Sequence, residues 1–329
     1  MNIEVIGGGA LGLLFAAGAV EGGASTLLYT RGEEQARQII ERGIEVHEVS
    51  GRSPKLIPSA SLNVKSIGRF AERPAYEEAC WIILAVKQKD LDDRLIHLLK
   101  SHLQAQDRIV CLQNGVGHIE RLRQAFPDTR VYAAITTEGA RRLDPISILH
   151  AGKGSTSFGL SREQRVSLTE GDDAEKKWMD VFAAAGLALQ MSNDIETIMY
   201  RKLTINAVIN PLTAIWRVQN GALLETPQRT VLMRNLFDEI MSVYRLANIS
   251  FEDGWWEDLL QVCRSTAQNR SSMLEDVTHG RLTEVRWICG GIVDLARQHE
   301  AEAPLNALLM ELVEGMGTEL HTYEETQGK

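Results

Sequence analysis

The sequence predicts a mixed α/β protein whose first domain is built on a mostly parallel sheet and whose second domain is all helical. The chain has 329 residues, which exceeds one typical domain. Short apolar strands alternate with helical segments up to about residue 192. Long helical periods with few strand-like runs follow that point. The predicted domains are therefore residues 1–192 and 193–329.

The elements of the first domain follow one another as strand, helix and strand, the pattern of a parallel sheet. Strands are predicted at residues 3–6, 26–29, 81–86, 109–112, 131–137 and 188–191, with antiparallel additions between 150 and 160. Helices are predicted from the glycine-rich turn at residues 7–12 to about residue 21, and at residues 33–42, 90–102 and 174–185. In the second domain, helices are predicted at residues 195–209, 228–247, 255–265, 284–299 and 304–320.

Composition excludes several classes of protein. The formal net charge of -9 gives no electrostatic footprint for nucleic acid or an anionic membrane. The four cysteines form no CxxC pair and the eight histidines show no ligand spacing, which predicts buried reduced thiols and no metal. The uncharged run from Val5 to Val20 lacks a basic leader, contains five glycines and is short for a membrane span. We therefore expect a cytoplasmic protein.

A glycine-rich turn follows the first predicted strand. Gly7, Gly9 and Gly12 fit G-x-G-x-x-G within a strand–helix–strand unit, which is the context that this motif requires. Gly7 permits the tight turn, Gly9 lets the backbone approach a pyrophosphate, and Gly12 allows close helix–strand packing. The sequence therefore predicts a Rossmann-type dinucleotide-binding domain, with the phosphates at the helix N-terminus. The predicted cofactor-binding residues of the turn are Gly7, Gly8, Gly9, Ala10, Leu11 and Gly12.

The end of the second strand indicates which dinucleotide binds. NAD enzymes usually place Asp or Glu there for the ribose hydroxyls, whereas this strand ends in Tyr29-Thr30-Arg31. Arginine attracts a 2′-phosphate and can bind it bidentately, so we predict NADP(H). An ordinary surface arginine is the alternative. Lys87 and Asn114 follow two further strands at the ligand-binding edge of the predicted sheet, either as cofactor contacts or as solvated loop residues.

A second group of polar residues lies in the first helix of the second domain. Lys202, Asn206 and Asn210 are spaced i, i+4 and i+8, which places them roughly on one helix face. Their neighbours are apolar, and buried Lys or Asn is unfavourable unless something satisfies it. Pro211 is expected to break or kink the helix beside Asn210. A polar stripe on a surface helix is the alternative interpretation.

Taken together, these motifs resemble those of the ketopantoate reductase family over nearly the whole chain. The lysine–asparagine block and the Ser-Ser-Met block are more specific than the glycine motif. The resemblance rests on Gly7 to Gly12, Lys87, Gln113-Asn114-Gly115, Arg201-Lys202-Leu203, Asn206, Asn210-Pro211-Leu212-Thr213-Ala214, Ser271-Ser272-Met273-Leu274-Glu275-Asp276 and Thr283-Glu284.

The resemblance implies a helical domain like that of 6-phosphogluconate dehydrogenase and the NADPH-dependent reduction of 2-dehydropantoate to (R)-pantoate, on the route to pantothenate and coenzyme A. It implies that Lys202 is the general acid, and that Glu284 touches the cofactor ribose or the substrate. The implied substrate contacts are Lys202, Asn206, Asn210, Asn220, Asn269 and Ser272. The implied cofactor contacts are Arg31, Lys87, Asn114, Ala140 and Glu284.

The residue types suit this chemistry. Hydride addition to a 2-keto acid places negative charge on the carbonyl oxygen, which an ammonium group stabilises and protonates. Other interpretations stay open for three residues. Ser272 fits a capping box with Glu275, Glu284 fits the first turn of a helix, and Asn220 before a glycine fits a turn.

Two alternative functions stay open as well. A reductase of another branched 2-keto acid would have the same fold, because one sequence does not reveal the pocket contacts that select the substrate. An NADP-binding sensor without turnover is the non-enzymatic alternative. The expected partner is a small 2-keto acid, and a homodimer is left open.

Overall fold

The computed structural model describes residues 1–49, 51, 53–167 and 173–316, which form two units. The first unit comprises Met1–Gln113 and His118–Glu196. The second comprises Asn114–Gly117 and the chain from Thr197 onward. The expected mixed α/β class, with a mostly parallel sheet followed by helices, is confirmed. Residues 317–320 of the last predicted helix lie outside the described part of the chain.

The first unit contains twelve strands and six α-helices among the described residues. The strands are β1 (Asn2–Ile6), β2 (Ser25–Thr30), β3 (Ile44–Glu48), β4 (Lys55–Ile57), β5 (Asn63–Ser66), β6 (Cys80–Leu84), β7 (Arg108–Cys111), β8 (Arg130–Thr136), β9 (Gly139–Arg142), β10 (Ser147–Gly152), β11 (Ser155–Leu160) and β12 (Ala188–Met191). The helices are α1 (Ala10–Glu21), α2 (Glu33–Arg42), α3 (Asp93–Lys100), α4 (His118–Ala125), α5 (Arg162–Ser167) and α6 (Asp173–Ala184).

Eight of these strands form one sheet in the order β12-β11-β8-β7-β6-β1-β2-β5. Every neighbouring pair is parallel except β11 with β8, which agrees with the antiparallel addition predicted after residue 150. The central strands are apolar because both faces of the sheet are covered, as β6 illustrates with five buried residues. The parallel arrangement brings the carboxyl ends of β1, β2, β6 and β7 to one edge.

A second, four-stranded sheet in the order β4-β3-β10-β9 was not predicted. Its strands are short, and β3 pairs with β10, about a hundred residues later in the chain. Two other predicted bounds differ from the structure. The strand predicted at 81–86 ends at Leu84, and the helix predicted at 90–102 is a short 3-10 helix followed by α3.

The second unit is built from helices around its own apolar core. They are α7 (Ile195–Trp216), which begins at the end of the first unit, α8 (Pro227–Leu246), α9 (Trp255–Ser265), α10 (Ser272–Thr278), α11 (Val285–Gln298) and α12 (Pro304–Met316). Its largest fully buried residues include Trp255 and Tyr244. In the part of the chain that the structure describes, no helix is both long and apolar enough to cross a membrane.

The expected end of α7 near Pro211 is wrong, because the helix continues through the proline to Trp216. Proline has a helical φ, but it lacks an N–H and its ring crowds the carbonyl four residues earlier. The helix ends at Trp216, and the next residue, Arg217, has a left-handed φ of 55°. Val218 N then donates to the Thr213 carbonyl at 3.1 Å.

Candidate active site

The glycine-rich turn joins β1 to α1 at the carboxyl edge of the larger sheet. Gly7 has a φ of +119° and its N–H donates to the Tyr29 carbonyl at 2.8 Å. A Cβ atom on Gly12 would lie 1.8 Å from the Gly7 carbonyl oxygen. The tight turn predicted at Gly7 and the close packing predicted at Gly12 are therefore confirmed.

Gly9 differs from these two glycines because its position is open. Among the described residues, its chain neighbours aside, no heavy atom would lie within 4 Å of a Cβ there. α1 begins directly after Gly9 with Ala10 and Leu11, has no side-chain cap and has no acidic residue in its first turn. Gln35 Nε2 donates to the Gly8 carbonyl at 2.7 Å and holds the turn from the other side. The turn therefore leaves helix N–H groups available to an anion and fits a pyrophosphate.

β2 ends at Thr30 and is followed by Arg31, so neither position carries a carboxylate. Thr30 Oγ1 donates to the Gly32 carbonyl at 2.8 Å, which shapes the loop. The Arg31 side chain is 83% exposed, and its Nη2 lies 3.7 Å from Asp90 Oδ1. An ion pair of this length and exposure contributes about 0–1 kcal/mol. The guanidinium is therefore available to a phosphate.

Lys87 lies in the loop after β6, directly before the 3-10 helix Gln88–Asp90. Gln113, at the end of β7, holds this loop, because its Nε2 donates to the carbonyl oxygens of Leu84 and Val86, both at 3.0 Å. The loop that carries Lys87 is thus fixed to the neighbouring strand by the Gln113 side chain.

A buried glutamine–histidine pair supports the same loop. Gln88 Nε2 lies 3.0 Å from His118 Nδ1, at the start of α4. Burial lowers the pKa of His118 to about 4, so the ring is neutral near pH 7. The pair therefore adds no charge beside Lys87.

Ala140, which the resemblance places in the cofactor site, lies in the smaller sheet. It belongs to β9, opposite His150 in β10, and packs against the core of the first unit. His150 Nε2 lies 2.6 Å from Glu138 Oε2 in a buried pair. In the described residues no three Cys, His, Asp or Glu side chains are grouped as metal ligands would be.

The second unit brings Asn114 and Glu284 together. Asn114 Nδ2 donates to Glu284 Oε2 at 3.1 Å, although the two residues are 170 positions apart in the chain. Glu284 lies at the N-cap of α11, before its first turn, and its carboxylate does not cap the helix. The helix-dipole interpretation of Glu284 therefore does not account for its side-chain contact.

Lys202 on α7 is half-buried, and its charge interacts with Glu284. Burial lowers the pKa of Lys202 from 10.5 to about 8, and the Glu284 carboxylate opposes this shift. A lysine with a pKa near 8 is still mostly protonated at neutral pH and releases its proton readily. This is the property that a general acid for a carbonyl oxygen requires.

The helix face that follows Lys202 reaches toward α10. Asn206 is partly accessible and Asn210 is 8% exposed. Thr213 Oγ1, one turn further, lies 2.7 Å from Ser271 Oγ. Ser271 is the N-cap of α10, because its Oγ accepts the Leu274 N–H at 3.0 Å. The hydroxyl pair thus joins the Asn210 end of α7 to the start of α10.

The capping-box interpretation of Ser272 is wrong, since the capping residue is Ser271. Ser272 is the first residue of α10 and is exposed. Its hydroxyl is not used as the helix cap, which leaves the interpretation as a substrate contact standing.

Asn220 and Asn269 are held together in the second unit. Asn220 opens a 3-10 helix (Asn220–Leu224), and its N–H donates to the Asn269 carbonyl at 3.0 Å. Its Nδ2 donates to Thr266 Oγ1 at 2.9 Å. Asn220 is 8% exposed and its Oδ1 has no hydrogen-bond partner among the residues that the structure describes, whereas Asn269 is exposed. Asn269 is therefore the more accessible of the two amides.

Sequence reasoning missed the residues that position the site. Val116 packs into the second core, and a Cβ on Gly291 of α11 would lie 2.8 Å from Val116 Cγ2. This close approach fixes the turn that carries Asn114, in which Gly115 and Gly117 have φ of +87° and +91°. In the sequence, the two glycines on either side of Val116 are the pattern that could have predicted this tight turn.

Models of one protein family match both halves of the chain. The model described as ketopantoate reductase PanE/ApbA matches residues 3–163. The model of the C-terminal part, ketopantoate reductase PanE/ApbA C terminal, matches residues 194–317. Together the two matches span most of the chain.

Relatives agree with these matches over nearly their full length. A 2-dehydropantoate 2-reductase of Archaeoglobus fulgidus is 32% identical, with 96% of this chain and 97% of that protein covered. A 2-dehydropantoate 2-reductase of Listeria innocua is 29% identical, with 98% of each covered. The crystal structure of a probable 2-dehydropantoate 2-reductase of Bacillus subtilis is 28% identical, covers 96% of this chain and 100% of that one, and has a TM-score of 0.78. The chain therefore belongs to the ketopantoate reductase family.

Proposed function

We propose that this protein reduces 2-dehydropantoate to (R)-pantoate with NADPH, a step toward pantothenate and coenzyme A. The observation that carries the proposal is the group of Lys202, Glu284 and Asn114, in a chain whose relatives are named for this reaction. We further propose residues 1–192 as the cofactor domain and residues 193–329 as the substrate and catalytic domain. A cytoplasmic location stays a prediction, and a homodimer stays open.

The first unit would hold the cofactor. NADPH, when bound, supplies the hydride that reduces C2 of the keto acid. The pyrophosphate would lie against the open turn at Gly9 and the uncapped start of α1. Arg31 would bind the 2′-phosphate, and Lys87 and Ala140 are proposed as further contacts from this unit. Asn114, which belongs to the second unit, is proposed as a cofactor contact as well.

The second unit would bind the keto acid and supply the proton. Lys202 Nζ would donate a proton to the C2 carbonyl oxygen as negative charge develops there. Glu284 favours the protonated form of Lys202, and Asn114 Nδ2 fixes the orientation of the Glu284 carboxylate. Burial makes the same ammonium a stronger acid than a solvated lysine.

Amide and hydroxyl groups would orient the substrate. Asn206, Asn210 and Asn269 offer donors and acceptors that suit the carbonyl and hydroxyl groups of the keto acid, and the exposed Ser272 hydroxyl suits its carboxylate. Asn220 would act at the margin of this set, because Thr266 and Asn269 already bind its amide and its N–H.

A panel of 2-keto acids assayed by NADPH oxidation tests the proposal. We expect 2-dehydropantoate to give the highest kcat/KM, and Lys202→Ala to lose at least about a hundredfold in kcat with the fold retained. Lys177→Ala, an exposed lysine on α6, is the matched control and should match wild type. A higher kcat/KM with another keto acid would show that 2-dehydropantoate is not the preferred substrate. A kcat near that of wild type in Lys202→Ala would show that Lys202 is not the general acid. Tight NADPH binding without turnover of any keto acid would favour the sensor alternative.

A further inference from the structure

A buried thiol on α11 lies against α7 where Pro211 removes a backbone hydrogen bond. Proline has no N–H to donate to the carbonyl four residues earlier, which here is that of Ala207. Cys289 Sγ lies 3.8 Å from the Ala207 oxygen and is its hydrogen-bond donor. Both residues are 0% exposed. The thiol therefore takes the place of the missing N–H in a region that water does not reach.

The thiol is in the form that can donate. Burial raises the pKa of Cys289, so the S–H proton is retained throughout the working pH range. Buried backbone carbonyls in folded proteins almost always have a donor, and leaving one without a partner is unfavourable. Removal of this thiol would take this donor away from the Ala207 carbonyl.

The contact lies close to the proposed proton donor along both helices. Ala207 follows Lys202 by about one and a half turns of α7. Cys289 follows Glu284 by the same number of residues on α11. The Cys289–Ala207 contact and the Lys202–Glu284 interaction are therefore two points at which the same pair of helices meet.

We propose that Cys289 is a positioning residue: by donating to the Ala207 carbonyl that Pro211 leaves without an N–H, it holds α11 against α7 and keeps Glu284 beside Lys202. The proposal rests on the proposed function only for the importance of Lys202 as proton donor. The contact itself can be tested without substrate.

A double-mutant cycle on unfolding tests the substitute donor. In the Pro211→Ala background the main chain supplies its own N–H to the Ala207 carbonyl. We therefore expect Cys289→Ala to lower the urea midpoint clearly in the wild-type background and much less in Pro211→Ala. Cys263→Ala, a 0% exposed cysteine of the same core, should have the same effect in both backgrounds. Equal losses for Cys289→Ala in the two backgrounds would overturn the proposal.

The pKa of Lys202, measured by competitive amine labelling and mass spectrometry across pH, tests the positioning. Cys289→Ala should lower this pKa, by less than Glu284→Gln, which removes the charge altogether. Cys289→Ser keeps a hydrogen-bond donor, so the pKa of Lys202 in this variant should be closer to the wild-type value. Cys263→Ala should leave the pKa of Lys202 at about 8. An unchanged pKa in Cys289→Ala would reduce the residue to a packing role. Amine labelling measures the pKa of Lys202 without substrate turnover. A wrong substrate assignment would therefore change the result of the NADPH oxidation assay and not that of the labelling.

Discussion

Replacing Glu284 by glutamine tests most directly how this site controls the proton on Lys202. Burial lowers the pKa of Lys202 from 10.5 to about 8, and the Glu284 charge acts in the opposite direction. Glutamine keeps the size of the side chain and an oxygen that can accept the Asn114 N–H. The substitution therefore removes the charge with little change in shape, and the pKa of Lys202 should fall.

The size of the effect follows from the charge that is lost. An opposite charge at close range changes a pKa by about 1–3. The low end of that range would bring the pKa of Lys202 in the variant to about 7. At pH 7.5 the protonated fraction would fall from about three quarters to about one quarter. We expect kcat at pH 7.5 to fall about threefold, and kcat at pH 6 to change much less because both forms are then protonated.

The assay is kcat with saturating NADPH and keto acid between pH 6 and 10. The wild-type kcat should decline as the pH rises through about 8. The kcat of Glu284→Gln should decline at a pH about one unit lower. Glu257→Gln, an exposed glutamate on α9, is the charge control and should follow wild type. A decline at the same or a higher pH in Glu284→Gln would refute the electrostatic role of this carboxylate.

Three further substitutions test other parts of the site. Arg31→Ala should lower kcat/KM for NADPH by about 10–100-fold, which corresponds to the loss of a charge-assisted hydrogen bond. The kcat/KM for NADH should stay unchanged. Equal losses of kcat/KM with the two cofactors would contradict the assignment of Arg31 to the 2′-phosphate. Gly291→Ala should destabilise the fold to urea by about 1–3 kcal/mol, because its Cβ would lie 2.8 Å from Val116 Cγ2. If Gly291→Ala had the same free energy of unfolding as wild type, the Val116 side chain would be able to move away from the added Cβ. Thr213→Val should raise KM for the keto acid about fivefold with little change in kcat, because it loses the contact with Ser271 Oγ. A loss in kcat alone would contradict that role.

The features that the sequence predicted correctly depend on constraints that act over a few residues. Gly7 needs a left-handed φ and Gly12 needs close packing, and both requirements follow from one turn. The bounds of α2, α9 and β12 agree with their predicted ranges, because their apolar periods and flanking residues are unambiguous. All four cysteines are buried and unpaired, as expected from their apolar neighbours.

The features that the sequence did not reveal depend on partners far away in the chain. Nothing near Asn114 or Glu284 indicates that they are hydrogen-bonded across 170 positions. Two adjacent serines fit a cap equally well, and only the position of Leu274 N–H distinguishes Ser271 from Ser272. The donor to the Ala207 carbonyl comes from another helix, and Pro211 signals the missing N–H without identifying that donor.

α7 carries several features that are unfavourable in an apolar helix, and their combination supports an active role for the helix. A half-buried lysine, a buried asparagine and an internal proline each disfavour an ordinary apolar helix. A lowering of the Lys202 pKa from 10.5 to about 8 alone corresponds to about 3 kcal/mol against the charged form. Two of these costs have a partner outside α7: Glu284 favours the charged form of Lys202, and Cys289 donates to the Ala207 carbonyl, which receives no N–H from Pro211. A helix that served packing alone would gain nothing from this arrangement, whereas a proton donor gains a charge that is held in place and easily released.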